Sequence, residues 1–382
     1  LTSRDLLAGK RIVLGAATLT AGRGGIARVA RMTARALTDL GAQITPVSYL
    51  DRAPLDVAGA AVACAGGDKL RFAALTCLKA IGREGFVYDS AGIARAHPSL
   101  IARGRGCVVW MHGIEVWENL RPDHHAVLRR ARLVLVNSHY TLNRFQKLHG
   151  ALPQARVCWL ATEDDAAGEP ASRSAGPLTV LALSRLDVGD VYKGHDALIA
   201  AWPRVLAAAP NARLVIAGDG GGRPALEARA RALGLGDRIE FTGFVAEAAL
   251  PALWARADVF AMPSRKEGFG LVYVEAMRQG VPVVASVHDA GGEVNVDGET
   301  GFNVDLGESE MLASRLIALL TDADLRRRCG DAGRRRWRAH FCYPRFLERI
   351  GALLGADEIQ SPFSASQRAD VRSSGRIPAQ NR

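Results

Sequence analysis

Two carboxylates, Glu267 and Glu275, stand within Pro263-Ser264-Arg265-Lys266-Glu267-Gly268-Phe269-Gly270-Leu271-Val272-Tyr273-Val274-Glu275, directly after an apolar run over 257–262. That run reads as a buried strand, and the glycines behind it free backbone N–H groups where a helix should begin. An anion would sit there. An ionised carboxylate only accepts hydrogen bonds, so Glu267 and Glu275 suit the hydroxyls of a ribose or a hexose rather than the anion itself. Arg185 and Lys193 follow another apolar run in Ser184-Arg185-Leu186-Asp187-Val188-Gly189-Asp190-Val191-Tyr192-Lys193-Gly194-His195. Two cations at a strand's carboxyl end fit a diphosphate, each charged hydrogen bond contributing ~1.5–3 kcal/mol. Taken alone, the pair reads more readily as a solvated lysine and an arginine bound to Asp187 or Asp190. Beside the two carboxylates it points to a nucleotide sugar.

These side chains need a scaffold that brings strand ends together. Residues 11–15 read as a strand, followed by a glycine-rich turn and a helix with an apolar face of Ile26, Val29, Thr33, Leu37 and Leu40. Arg28, Arg31 and Arg35 fall on the opposite face, and Gly41 stops the helix. Strands near 44–50, 107–111 and 133–136, separated by helical stretches, predict an alternating βα domain with a parallel sheet. Composition shifts over 162–177 toward Ala, Gly, Ser, Asp and Pro, which reads as a linker. A second series then begins at 178–183 and continues with strands at 214–217, 239–241, 258–261 and 282–285. The expected fold is α/β, with two Rossmann-like domains over 1–168 and 169–342 facing across a cleft, and a disordered polar tail over 356–382. Ligands in such sheets bind outside the carboxyl ends of the strands.

Two more loops end strands with glycine: Ala217-Gly218-Asp219-Gly220 and Phe241-Thr242-Gly243-Phe244-Val245. Either is an ordinary loop by itself, and Phe244 reads equally as plain core. The combination of Arg185, Lys193-Gly194, these loops, Glu267-Gly268-Phe269-Gly270-Leu271 and Glu275-Ala276 resembles glycosyltransferase family 4, retaining nucleotide-sugar transferases of the GT-B fold. The similarity is strongest over 178–286. It implies that Arg185 and Lys193 hold the diphosphate, Glu267 meets the donor sugar, and Glu275 binds the ribose. The backbone of Phe269, Gly270 and Leu271 would close over sugar and phosphate, with Gly218, Gly243 and Phe244 flanking the donor. Gly24 and Gly25 look like the family's N-terminal glycine loop, and His112 resembles its His-Gly position near the reacting face of the sugar. Ser138, in a turn similar to one of the family's, is expected to touch ligand. The stretch 343–354 would pack back across the first domain. A few extra residues between Arg185 and Lys193 depart from the commonest family spacing.

Other patterns compete. Gly22, Gly24 and Ala27 satisfy GxGxxA between a strand and a helix, with Asp51 ending the next strand, as in a nicotinamide-dependent oxidoreductase. That alternative leaves Glu267, Glu275, Arg185 and Lys193 unexplained. A non-catalytic GT-B binding scaffold is the other alternative. Asp322-Ala323-Asp324 matches DxD but opens an arginine-rich helix, where acids cap and offset the dipole. His124-His125 reads as an exposed helix pair. No metal or cofactor is expected, the donor itself being a GDP- or UDP-hexose. Six cysteines at unpatterned spacings fit a reducing cytoplasm. The net charge of +10 favours anionic partners. No nucleic-acid module is evident, whereas a lipid-linked or glycan acceptor at the inner membrane face fits. The arginine runs 326–328 and 334–336 read as a solvated helix face or a membrane contact. No apolar stretch approaches the ~18 residues of a spanning helix, and the first residues lack the apolar centre of a signal peptide.

Overall fold

The computed structural model describes residues 6–163, 176–308 and 310–360. Continuous apolar runs such as Val108–Met111 and Leu133–Val136 are buried at every position. Strands of that kind belong inside a parallel sheet covered on both faces. The first sheet has seven strands, ordered Ala63–Cys64, Gln43–Ser48, Arg11–Ala16, Gly85–Tyr88, Val108–Met111, Leu133–Val136 and Ala155–Val157. The second has six, ordered Ile239–Gly243, Arg213–Ala217, Thr179–Leu183, Val259–Ala261, Val283–Ser286 and Gly301–Val304. Every pairing within these two sheets is parallel. In each, the chain winds outward from its first strand in one direction, then returns to that strand's other side. The crevice at this reversal lies at the carboxyl ends of Arg11–Ala16 and Gly85–Tyr88 in one sheet, and of Thr179–Leu183 and Val259–Ala261 in the other.

An apolar core continues from one domain into the other, with Phe269, Trp337 and Phe341 joining Leu160 and Ala161. After the π-turn Trp337–Phe341, the helix Tyr343–Gln360 crosses onto the first domain. Tyr343 donates its hydroxyl to Asp39 at 2.7 Å, and Phe346 stacks on Trp110 with ring centroids 6.3 Å apart. This helix continues past Leu354, so the first residues of the expected tail are helical, and 361–382 lie outside the described residues. Most of the expected linker, 164–175, also lies outside them. No helix among the described residues is long and apolar enough to cross a membrane.

Three local expectations change. Ile26 is exposed, whereas Val29, Thr33, Leu37 and Leu40 are buried, joined within helix Gly25–Asp39 by Ala27, Ala30, Met32, Ala34 and Ala36. His124 and His125 are partly buried rather than exposed, His125 packing beside Phe145. The arginine runs are not simply solvated: Arg326 donates to the carbonyls of Leu319 and Leu320, and Arg336 to those of Glu293 and Val294. Asp322 accepts from Leu325 N–H at 2.8 Å and caps helix Ala323–Arg336, the structural role expected of it.

Candidate active site

Four strand ends meet in one cleft. On the C-terminal side, Thr179–Leu183 delivers Ser184 and Arg185, and Val259–Ala261 delivers the loop that carries Glu267. The extra residues before Lys193 form a 3₁₀ segment, Val188–Lys193, that turns the chain back so that Lys193 Nζ meets Glu267 Oε1. Gly194 makes that return possible. Its φ is 84°, and a Cβ there would lie 2.4 Å from the carbonyl oxygen of Pro263. Arg185 stands at the mouth, Nη1 3.5 Å from Asp187 Oδ2.

The Glu267 backbone is fixed from below. Its N–H donates to Asp289 Oδ2 at 2.8 Å, while Asp289 Oδ1 accepts from Gly291 N–H at 2.9 Å. Burial pushes Asp289 up to about 7; the Glu267 N–H bond opposes this, and the nearby Glu267 charge adds to it. Gly270 precedes helix Leu271–Arg278, which has no side-chain cap; Tyr273 N–H bonds back to Gly270 O at 3.0 Å, and the two residues before it, Leu271 and Val272, line the cleft. Glu275 lies in this helix, and burial raises its pKa against the opposing charge of Arg28.

Arg28 comes from the other domain. Helix Gly25–Asp39 starts at the cleft behind the loop of Gly22, Gly24 and Gly25, and its Arg28 Nη1 binds Glu275 Oε1. Arg28 Nε also lies 3.4 Å from Glu163, which Arg31 holds in a bidentate pair at 2.7 and 2.8 Å. His112 follows strand Val108–Met111 and stacks on Trp110 with centroids 6.0 Å apart. Its Nε2 lies 2.6 Å from the carbonyl oxygen of Asp89, which requires a proton on Nε2 and, in the neutral ring, leaves Nδ1 as an acceptor. The His112 N–H donates to Glu115 Oε1 at 2.6 Å, and Asn137 donates to the His112 carbonyl at 2.7 Å. Asp89 is wholly buried and pushed up to about 6 by that burial, although Ala17 N–H and the Ser90 hydroxyl donate to it.

Between these walls lies a cavity of about 370 Å³. It combines cations, hydroxyl-accepting carboxylates and helix N–H groups, the set that a sugar joined to a diphosphate requires. The sequence profile described as Glycosyl transferases group 1 matches residues 172–336, the half that supplies Arg185, Lys193, Glu267 and Glu275. A GDP-mannose-dependent alpha-(1-6)-phosphatidylinositol monomannoside mannosyltransferase of Mycobacterium tuberculosis is 34% identical over 269 residues, covering 65% of this chain and 69% of that protein. The chain belongs to the group 1 glycosyltransferases. A phosphatidyl-myo-inositol mannosyltransferase of Mycobacterium leprae is 42% identical over 156 residues, covering 41% of this chain and 40% of that protein. Among solved structures, sucrose-phosphate synthase from Thermosynechococcus elongatus superposes with a TM-score of 0.79 at 21% identity, covering 92% of this chain and all of that one. Anabaena Alr3699/HepE in complex with UDP and glucose gives 0.73 at 23% identity, covering 90% of this chain and 99% of that one. These solved structures share the fold, which is GT-B, and the resemblance to family 4 holds.

In this glycosyltransferase, Gly24, Gly25, His112, Arg185, Lys193, Phe244, Glu267, Phe269, Gly270, Leu271 and Glu275 all line the cavity. Phe244 is exposed at its rim rather than part of the core. Gly218 and Gly243 do not line it. They join each other by a 2.9 Å backbone bond, and a Cβ on Gly218 would lie 1.8 Å from the Ser184 carbonyl oxygen, so these glycines let strand ends pack. Ser138 is likewise buried away from it: Ser138 caps helix His139–His149 through Thr141 N–H and donates its hydroxyl to Gly268 O at 2.7 Å. Asp51 receives four donors, from Thr18, Leu19, Thr20 and Ser48, at 2.6–2.7 Å. Its acceptor sites are saturated by the turn it staples, leaving none for a dinucleotide ribose. The sequence reading missed Arg28, Arg31, Asn137, Asp89 and Asp289. Arg28 had a usable signal, because the first turn of a helix that opens at a cleft looks into it whatever the helix's apolar face.

Proposed function

We propose that this glycosyltransferase moves a hexose from a nucleoside diphosphate donor with retention of anomeric configuration and without a metal ion. The observation that carries this is the convergence of Lys193, Glu267, His112 and the uncapped helix N-terminus around one cavity. Lys193, Arg185 and the N–H groups of Leu271 and Val272 at the helix start would stabilise the departing diphosphate as positive charge develops on the sugar. Glu267 would accept hydroxyls of the transferred sugar, Glu275 those of the ribose, and His112 Nδ1 a further sugar hydroxyl. Glu267 is engaged by Lys193 and Glu275 by Arg28. Their engagement supports front-face displacement, in which the leaving phosphate takes the acceptor proton, over attack by a carboxylate nucleophile.

The relatives' names favour GDP-mannose as donor and a phosphatidylinositol mannoside as acceptor. A lipid acceptor together with the +10 charge supports work at an anionic membrane surface on the cytoplasmic side. The test is acceptor-dependent release of GDP from GDP-mannose, in EDTA, with vesicles carrying phosphatidylinositol monomannoside. UDP-glucose serves as the competing donor. Binding of donor with no release, whatever the acceptor, would instead favour a non-catalytic scaffold.

A further inference from the structure

Arg28 lines the cleft from the side of the first domain. Arg28 belongs to the acceptor-side domain yet binds Glu275 of the donor-side domain, with both side chains largely buried, 22% and 13% exposed. We propose that Arg28 is a positioning residue that keeps Glu275 an ionised, correctly aimed acceptor for the donor ribose, so that ribose recognition requires the two domains to be together. This rests on the assignment of Glu275 to the ribose.

The groups around the pair make the task specific. Glu275 faces Arg28, Glu247 and Arg278, while Arg28 faces Glu275, Glu163 and Glu247. Burial and Glu247 both disfavour the Glu275 anion, and Arg28 is the larger of the two cationic influences that favour it. A protonated Glu275 would carry a hydroxyl donor in place of one acceptor and would lose its grip on two vicinal ribose hydroxyls. Arg28 engages Oε1, which leaves Oε2 for the ribose. Glu163 in turn holds the Nε side of Arg28, so the guanidinium is clamped between the end of the first domain and the donor helix.

The experiment measures dissociation constants of GDP and 2′,3′-dideoxy-GDP for the full chain at about pH 5.5 and about pH 8, in wild type, Glu275→Gln, Arg28→Gln and Arg28→Lys. Wild type should prefer the ribose form by roughly 10–100-fold, and Glu275→Gln should lose most of that preference. Arg28→Gln should lose it too, more completely at the lower pH, while Arg28→Lys keeps it at the higher pH. If wild type shows no preference, the ribose assignment of Glu275 fails and this inference with it. If wild type and Glu275→Gln behave as stated but Arg28→Gln keeps the full preference at both pH values, the inference alone is overturned. Should Arg28→Gln fail to fold, Arg28→Lys decides: a preference kept at the higher pH supports the role, and a loss at both pH values contradicts it.

Discussion

Lys193 and Glu267 carry opposite charges in a site where each is mostly shielded from water, with side chains 14% exposed. Removing either strands the other, and also removes a group to which the proposed function assigns the sugar or the phosphate. Lys193→Ala and Glu267→Ala should each lower kcat by roughly 10²–10³-fold with the circular dichroism spectrum retained. Unchanged turnover in either would refute the assignment. Asp289, beneath Glu267, makes a different prediction. Its pKa is raised to about 7, so between the ordinary carboxylate value of ~3.9 and that value the folded chain binds more protons than the unfolded one. The contribution of Asp289 to stability is therefore largest below that window and falls as pH rises through it. The melting temperature of Asp289→Asn should gain on wild type between about pH 5 and about pH 8, and parallel curves would contradict the buried-acid account. Lys193 and Glu267 were legible in the sequence as charges at strand ends. Asp289 was not, because a lone aspartate in Val287-His288-Asp289-Ala290 carries no pattern that marks it as the acceptor beneath another loop.

The elements convert these residues into a site through glycines that differ in what surrounds them. A Cβ on Gly268 would lie 1.8 Å from the carbonyl oxygen of His112, backbone against backbone across the cleft. A Cβ on Gly24 would meet nothing within 4 Å, so only its φ of 91° opposes substitution. Gly268→Ala must push the walls apart and should cost about 10²-fold in kcat/KM, whereas Gly24→Ala should cost ~1–2 kcal/mol of stability from backbone strain with a smaller kinetic effect. Steady-state kinetics and thermal unfolding of the pair test this, and equal kinetic losses would contradict the close approach. Strands were legible because parallel, doubly covered strands are written as unbroken apolar runs. The 3₁₀ segment Val188–Lys193 was not, since its polar, glycine-containing sequence shows no periodicity and its fold depends on Gly194 lying against Pro263.

The whole molecule is held closed by contacts that no single-domain argument foresees. Glu293 of the C-terminal domain accepts from His139 N–H at 2.9 Å, Tyr140 N–H, and Trp159 Nε1–H at 3.1 Å. It thereby places a negative charge at the N-terminus of helix His139–His149 in the other domain. Tyr140 donates to His288 O at 2.9 Å, and Ser138 donates to Gly268 O, so the latch runs along one edge of the cleft. Glu293→Ala should enlarge the radius of gyration measured by solution scattering and raise donor KM more than it lowers kcat. An unchanged scattering profile and KM would contradict the latch. Two Rossmann-like domains were legible from the repeated βα alternation. Their mutual placement was not, because it rests on single cross-domain partners such as Arg28 with Glu275 and Glu293 with His139. The central claim, metal-free retaining transfer from a sugar nucleotide, is tested most directly by proton NMR of the mannosylated product formed from GDP-α-mannose in excess EDTA. An α-linked product formed at the same rate with and without EDTA is the predicted result; a β-linked product, or turnover abolished by EDTA, would contradict it.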